Sequence, residues 1–383
     1  MNLNDIRKLG PLYRALNGLR RVGSRLFMRA CHALVGVKPR RVFFSSFKGR
    51  DFSDSPARIC EQLHALRPDI EIVWQLRRPG DAPDYVRAVP PRSLSALLAI
   101  STARCLVDNF NRPQYMLKFP GQLYVQTWHG DRGFKKMLFD MEDGQFFPDG
   151  EQMDLGVSGS DFGTKNYRTA FRYDGEVMQL GMPRNDALLA KDPAAIADIR
   201  KRLGVAAGEK LLLYAPTFRN ELKGGEQPAG FDIGRALDAL EASTGSRWVC
   251  LTRAHSQNRR VSGAADGRVR DVSQWPETAE LLLAADMLIS DYSSTAGDYI
   301  LLDRPVILYQ ADMDRFIGSD RHMYFDLRDC PYARAESEEQ LYALLGDIDA
   351  LIPNCAKVRA FYGVTETGHS AGAVARWIAE RLD

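Results

Sequence analysis

The sequence predicts an α/β protein built of two doubly wound domains that face a cleft. Three observations lead there. At 383 residues the chain is too long for one ordinary core, and two domains of about 150 to 200 residues are expected. Short apolar runs of strand character alternate with helical patterns from residue 41 onward, which favours parallel sheets covered on both faces. The alternation ends near residue 185 and restarts. The domains expected are therefore an N-terminal one over 41–184, a C-terminal one over 185–355 and a helical tail over 356–383.

Residues 1–40 read differently, as a basic arm. Up to Arg41 the chain holds ten Lys or Arg against one acid, Asp5, a charge of +9, and the rest carries 41 bases and 48 acids, a charge of −7. Leu9, Leu12, Tyr13, Leu16, Leu19, Val22, Leu26, Phe27 and Met28 recur at spacings of three and four, as on one apolar helix face. Pro11 and Gly10 place the helix start near residue 12. The charge-free runs fall far short of the roughly 18 apolar residues a membrane span needs. An apolar stripe beside basic residues suits a helix lying in an anionic membrane surface. A domain-capping helix or a nucleic-acid arm is the alternative.

Strands are expected at 41–47 (RVFFSSF), 70–76, 103–110 (ARCLVDNF), 122–127 (QLYVQT), 153–160 and 176–181, with helices at 56–66, 93–102 and 160–171. MPRNDALL (182–189) reads as a polar connection. After it come strands at 210–218 (KLLLYAPTF), 248–255 (WVCLTRAH), 269–273, 286–290 and 305–310, with helices near 193–203, 233–242, 277–284 and 295–302. The tail from about 356 to 382 reads as helical. The six cysteines are scattered with no CxxC pair and read as free thiols in a reducing compartment.

Polar clusters fall at strand ends, where ligands of doubly wound sheets bind. In QTWHGDRGFKK, His129 follows a strand and Gly130 lets the backbone turn and approach a ligand. A neutral imidazole there can take a proton from an attacking hydroxyl; a structural histidine in a turn is the bland alternative. In LTRAHSQNRR, His255 and Arg253 suit a phosphorylated ligand, or else form a basic surface loop. In ADMLISDYSSTAGDY, a strand stops at Asp291, and Ser293, Ser294 and Thr295 precede a helix whose free N–H groups can receive phosphate oxygens. In YAPTFRN, Thr217 and Arg219 close another strand. No Walker loop, GxGxxG, HExxH, paired-cysteine or clustered-carboxylate metal signature is present, which counts against kinases, dinucleotide oxidoreductases and metallohydrolases.

Taken together, TWHG with a downstream KK, YAPTFR, RAH and ISDYSS…D…LLDRPVILY resemble the CDP-glycerol glycerophosphotransferases, the teichoic-acid primases and polymerases of bacterial envelopes. The resemblance spans roughly residues 100 to 330. It implies a GT-B fold, with two Rossmann-like domains around the active site and the CDP-activated polyol donor held by the C-terminal domain. It implies His129 as catalytic base and His255 at the donor phosphates. Arg253, Thr217, Arg219, Asp291, Ser293, Ser294, Thr295, Gly130 and Asp298 are implied as substrate-binding residues. Neither a cofactor nor a metal is implied, and nucleic acid is not an expected partner. The acceptor implied is a lipid-linked saccharide or a polyol-phosphate polymer, and the location the cytoplasmic face of the membrane, held peripherally. A CDP-ribitol enzyme and a GT-B glycosyltransferase using a nucleotide sugar are the rivals. Asp131, Arg132 and Gly133 stand where the family commonly has Thr and Pro after WHG, and they are expected on the acceptor side.

Overall fold

The computed structural model describes residues 10–141, 147–217, 230–253, 267–319 and 322–382. Its N-terminal lobe is a seven-stranded sheet: β1 (Lys38–Ser45), β2 (Glu71–Gln75), β3 (Val86–Val89), β4 (Ala103–Asp108), β5 (Leu123–Gln126), β6 (Leu155–Ser158) and β7 (Val177–Gln179), in the order β3-β2-β1-β4-β5-β6-β7. The C-terminal lobe has six strands: β8 (Lys210–Ala215), β9 (Trp248–Thr252), β10 (Val269–Asp271), β11 (Met287–Ser290), β12 (Val306–Tyr309) and β13 (Ala333–Ala335), in the order β10-β9-β8-β11-β12-β13. All neighbouring strands pair in parallel. This is the two-lobed GT-B arrangement. Edge strands β3 and β13, of four and three residues, were not singled out in the sequence.

The strands are continuous apolar runs because both faces are covered. Successive side chains point to opposite faces, so Phe43, Val73, Leu106 and Tyr124 feed one core layer of the first lobe. Their neighbours Val42, Phe44, Trp74 and Val107 feed the other. The second lobe divides likewise, with Leu213, Leu251 and Leu288 on one face and Leu212, Cys250 and Ile289 on the other. All six cysteines are buried and unpaired.

Two segments cross between the lobes side by side. The first is the connection 181–186, and the second is 363–370. The tail that reads as one helical stretch is two helices, broken where Gly363 takes a left-handed φ of 61° that L-residues avoid. Helix Pro353–Tyr362 puts Cys355, Val358 and Tyr362 into the second-lobe core. Helix Ser370–Ala379 returns to the first lobe, where Val374, Trp377 and Ile378 join Val42 and Phe44. The Asp186 carboxylate accepts the first N–H groups of that helix, from Ser370 and Ala371 at 3.1 and 2.8 Å, binding one crossing to the other.

The N-terminal helix Pro11–Val35 starts on its proline, where the missing N–H costs nothing. The single apolar stripe read from sequence divides here. Met28 and Cys31 are buried against the first lobe, His32 stacks on Phe119 at 4.3 Å, and Arg25 donates to the Gln114 carbonyl. Leu16, Leu19, Val22 and Leu26, round the helix from Met28, stay exposed. No described helix is long and apolar enough to cross a membrane.

Candidate active site

The carboxyl ends of the two sheets face each other across a cleft of about 1200 Å³. In each lobe the strand order reverses between the first and fourth strand, β1 and β4 or β8 and β11, and such switch points open the crevice that holds ligands.

His129 lies at this crevice because β5 ends just before it. Thr127 N still donates to Asp108 O at 3.0 Å, prolonging the ladder by one residue. Trp128 then takes a φ of 52°, a left-handed conformation that costs a side-chain-bearing residue about 1 to 3 kcal/mol. The turn puts the imidazole into an aromatic box. Phe110 stacks on it at 4.9 Å and 7°, and Trp128 lies 4.2 Å away. Its Nδ1 is 2.7 Å from the Asn109 carbonyl oxygen. That oxygen only accepts, so Nδ1 carries the proton of the neutral ring and Nε2 keeps its lone pair. Burial holds the imidazole below its ordinary value of 6.5, outweighing the bond to Asn109 and the pull of Asp54, while Arg184 and Arg50 act in the same direction as burial. A neutral histidine with a free Nε2 is a general base at neutral pH.

Asn109 ties this base to the switch point. Its Oδ1 accepts from Phe47 N at 2.8 Å and its Nδ2 donates to Ser46 Oγ at 3.2 Å, joining the ends of β1 and β4. Next to it, burial pushes the Asp108 carboxyl up to about 8, so it is mostly neutral at pH 7. Neither residue was singled out in the sequence; their position at the end of the 103–110 strand was the available signal.

The second lobe supplies hydroxyls and a cation. Ser293 Oγ donates to Thr295 Oγ1 at 2.9 Å and accepts from Thr295 N at 3.2 Å. Ser293, Ser294 and Thr295 all line the cleft. The helix they open, Thr295–Tyr299, has only five residues, so side-chain hydroxyls rather than a long helix dipole set its character. Arg253 follows β9 with its N–H on the Tyr214 carbonyl at 2.9 Å. Its Nη1 is buried with no hydrogen-bond partner among the described residues. Burial and the charge of Arg50 hold this guanidinium below its ordinary value, against the acids Glu277 and Asp51. The lobes approach closely at Gly130, where an added Cβ would stand 3.0 Å from Ser294 Oγ. Among the described residues the cleft walls carry five cations, Arg50, Arg78, Lys135, Lys136 and Arg253, against two acids, Asp51 and Asp81.

Other expected site residues lie elsewhere. Asp291 is buried under the floor. Its carboxylate accepts from Thr217 N and Oγ1, at 2.8 and 2.6 Å, and so fixes Thr217, which does line the cleft. Asp298 points away from the cleft, into the junction between the lobes. There it accepts from Arg132 at 3.0 Å, Arg184 at 2.9 Å and Asn185 at 2.9 Å. Burial raises its carboxyl, but the guanidiniums of Arg184 and Arg132 outweigh that and hold it below the usual carboxylate range. His255 and Arg219 lie outside the described residues.

Asp131 and Arg132, expected on the acceptor side, are instead buried beside the junction between the lobes. Asp131 accepts from Ser158 Oγ, Gly159 N and Ser160 Oγ. Arg132 is fully buried, donating to Gly297 O, Asp298 and Glu366 at 2.7 to 3.0 Å. It fits only because residue 297 is glycine; a Cβ there would lie 2.6 Å from Arg132 Cβ. The connection 182–189, read as merely polar, buries Arg184 and Asn185 in this network. Of the three loop residues only Gly133 lines the cleft.

With the geometry in place, comparison with known proteins decides the family. The model of the CDP-Glycerol:Poly(glycerophosphate) glycerophosphotransferase family matches residues 26–376. The chain belongs to that family. The teichoic acid poly(glycerol phosphate) polymerase of Staphylococcus epidermidis is 31% identical over 316 residues, 77% of this chain and 44% of that protein. The polymerase of Bacillus subtilis is 28% identical over 85% of this chain and 46% of its own length. The chain thus spans about half the length of these two polymerases. The teichoic acid glycerol-phosphate transferase of Staphylococcus aureus is 29% identical over 80% of this chain and 84% of that one. Among solved structures, the wall teichoic acid polymerase TagF superposes with a TM-score of 0.83 at 26% identity, covering 100% of this chain and 98% of that one. A histidine-to-asparagine variant of TagF soaked with CDPG superposes equally well. A UDP-N-acetylglucosamine 2-epimerase structure from Listeria monocytogenes, at 11% identity and a TM-score of 0.51 over 87% of this chain and 94% of that one, shares the fold alone.

Proposed function

We propose that this glycerophosphotransferase-family protein moves glycerol phosphate, or a closely related polyol phosphate, from a CDP-activated donor to a hydroxyl of a lipid-linked saccharide or polyol-phosphate polymer. The observation that carries the proposal is the meeting at Gly130: a histidine with a free Nε2 in one lobe adjoins, by one residue, the hydroxyl cradle of the other. Family membership and the TagF variant soaked with CDPG support the donor class.

In the reaction the acceptor oxygen forms a bond to the β-phosphorus while the bond from that phosphorus to the CMP oxygen breaks. CMP leaves with that electron pair, and the acceptor proton passes to His129 Nε2. A positioned base contributes roughly 10² to 10⁴ in rate. Neutralising the charge on the transferring group is the larger task, and it falls to Arg253, Ser293, Ser294 and Thr295. Thr217 is held in register for the donor by Asp291. The sequence resemblance adds His255 and Arg219 on the same side.

Turnover against CDP-glycerol, CDP-ribitol and a UDP-sugar tests the donor, with glycerol or ribitol transfer expected. Exclusive use of the sugar nucleotide refutes the proposal. His129→Ala is expected to reduce turnover by the 10² to 10⁴ of a lost base, with donor affinity nearly unchanged. Because its pKa is lowered, the acid limb of wild-type kcat is expected below pH 6.5.

The N-terminal helix supports a peripheral location on an anionic membrane surface, in the cell its cytoplasmic face. Leu19, Val22 and Leu26 turn outward, and Arg20 and Arg29 stand exposed on the same helix, the pairing that holds helices in a headgroup layer. Leu19→Glu with Leu26→Glu is expected to release the protein from phosphatidylglycerol vesicles in flotation. Unchanged binding removes the helix from that role.

A further inference from the structure

Past Asp131, which is bonded to its own lobe, the chain leaves that lobe until Leu138 rejoins its core. It runs as a strap onto the other one. Lys135 pairs antiparallel with Met323. Lys136 N donates to His322 O at 2.8 Å, and Tyr324 N to Phe134 O at 2.9 Å. Tyr324 OH donates to Asp140 at 2.6 Å, and buried Phe134 meets Phe325 and Tyr332 edge-on. Backbone bonds and Phe134 thus fix the strap.

Both lysines nonetheless line the cleft. Lys135 Nζ lies 5.2 Å above the ring of Phe316. Phe316 stacks at 3.8 Å on Tyr292, the residue before Ser293, so this lysine is on the wall that carries the hydroxyl cradle. For Lys136 no carboxylate lies within ion-pair distance among the described residues. Among the described residues this cation is unbalanced, in a cleft whose described lining holds an excess of positive charge, and such a cation calls for an anion from outside.

We propose that Lys136, assisted by Lys135, is a catalytic residue: the fixed cation that takes up charge on the transferring phosphoryl group and the departing CMP. The proposal rests on the phosphotransfer reading above and deepens it. As the bond from the β-phosphorus to the CMP oxygen breaks, the electron pair collects on that oxygen. A phosphate monoester has a second pKa near 6, so at pH 7 CMP leaves largely without a proton. The leaving oxygen therefore needs a standing positive charge rather than an acid. One segment delivers both groups, with base and cation seven residues apart. Its docking on the second lobe fixes the cation against the cradle.

Lys136→Ala, Lys136→Arg and Lys135→Ala test this by steady-state kinetics, with isothermal titration of CMP and of cytidine alongside. Lys136→Ala is expected to lower kcat by about 10² to 10³, as loss of one transition-state donor does, with donor KM changed less than threefold (about 0.7 kcal/mol). It should also weaken CMP about tenfold and leave cytidine unaffected. Lys136→Arg should keep most of the rate, and Lys135→Ala should show a smaller loss. Unfolding midpoints should match wild type. Unchanged kcat and CMP affinity in Lys136→Ala overturn the proposal, as does a loss explained by a lowered midpoint that arginine fails to restore. If wild type transfers nothing from any CDP-polyol while Lys136→Ala still loses CMP, the phosphotransfer reading fails and the anion site stands.

Discussion

The two sides of the interlobe space handle charge in opposite ways. On the junction side, Arg132 and Arg184 are buried with Asp131, Asp298, Glu366 and Asp54 around them. On the cleft side, among the described residues, five cations line the walls with two acids, and Arg253 keeps a buried Nη1 without a partner. His129 and Arg132 are three residues apart on one loop, yet one faces each side. The difference teaches how to tell scaffold from site. A buried charge that serves the fold brings its counter-charge with it, since desolvation is otherwise too costly. A charge left unbalanced is stable only where a ligand is to supply the balance.

Substitutions that remove one cation from each side break or sharpen this contrast. The largest effect is expected from Arg132→Met. It strands Asp298 and Glu366 in the junction, and losing one partner of a buried ion pair costs about 3 to 5 kcal/mol. Urea unfolding should show that loss; a change under about 1.4 kcal/mol, one pKa unit's worth, means the junction is not a lock. Arg253→Met is the counterpart in the cleft. It should leave ligand-free stability unchanged or raised, because it removes an uncompensated charge. Its donor affinity should fall by about 1.5 to 3 kcal/mol, the range for hydrogen bonds to charged groups. Equal destabilisation by both substitutions erases the distinction.

The most pH-specific effect belongs to Glu277, where the lobes touch at the rim of the cleft. Its Oε1 accepts from Asp54 N at 3.3 Å. Burial pushes its carboxyl from 4.5 up to about 7, against the pull of Arg58 and with the help of Asp54. Between those values the folded protein holds a proton that the unfolded chain has lost. Stability is thus fully present below pH 4.5 and declines as pH rises to 7, by on the order of 3 kcal/mol. Glu277→Gln should flatten unfolding free energy across that window, and a curve parallel to wild type refutes the assignment.

Much of the fold was legible because its elements are local. β1, β4, β8 and β9 announce themselves as buried apolar runs, and Ser160 as a helix cap whose hydroxyl accepts from Gly163 N. The site was legible where a side chain follows a strand end, as with His129, Arg253 and Ser293 to Thr295. It was not legible where the deciding partner is remote. Arg132 finds Asp298 and Glu366 at separations of 166 and 234 residues, so Asp298 read as a substrate group and Arg132 as an acceptor contact. Asn109 escaped notice because its partners Phe47, Ser46 and His129 stand 62, 63 and 20 residues away in sequence.

The sequence by itself determined two parallel-sheet lobes, the basic amphipathic arm, and the polar residues that end each strand, because periodicity and strand-end chemistry are properties of neighbouring residues. Tertiary structure alone decided which of those polar groups face a ligand and which face each other. Whether a charge is balanced depends on what stands within a few ångströms of it, and here those neighbours come from the other lobe.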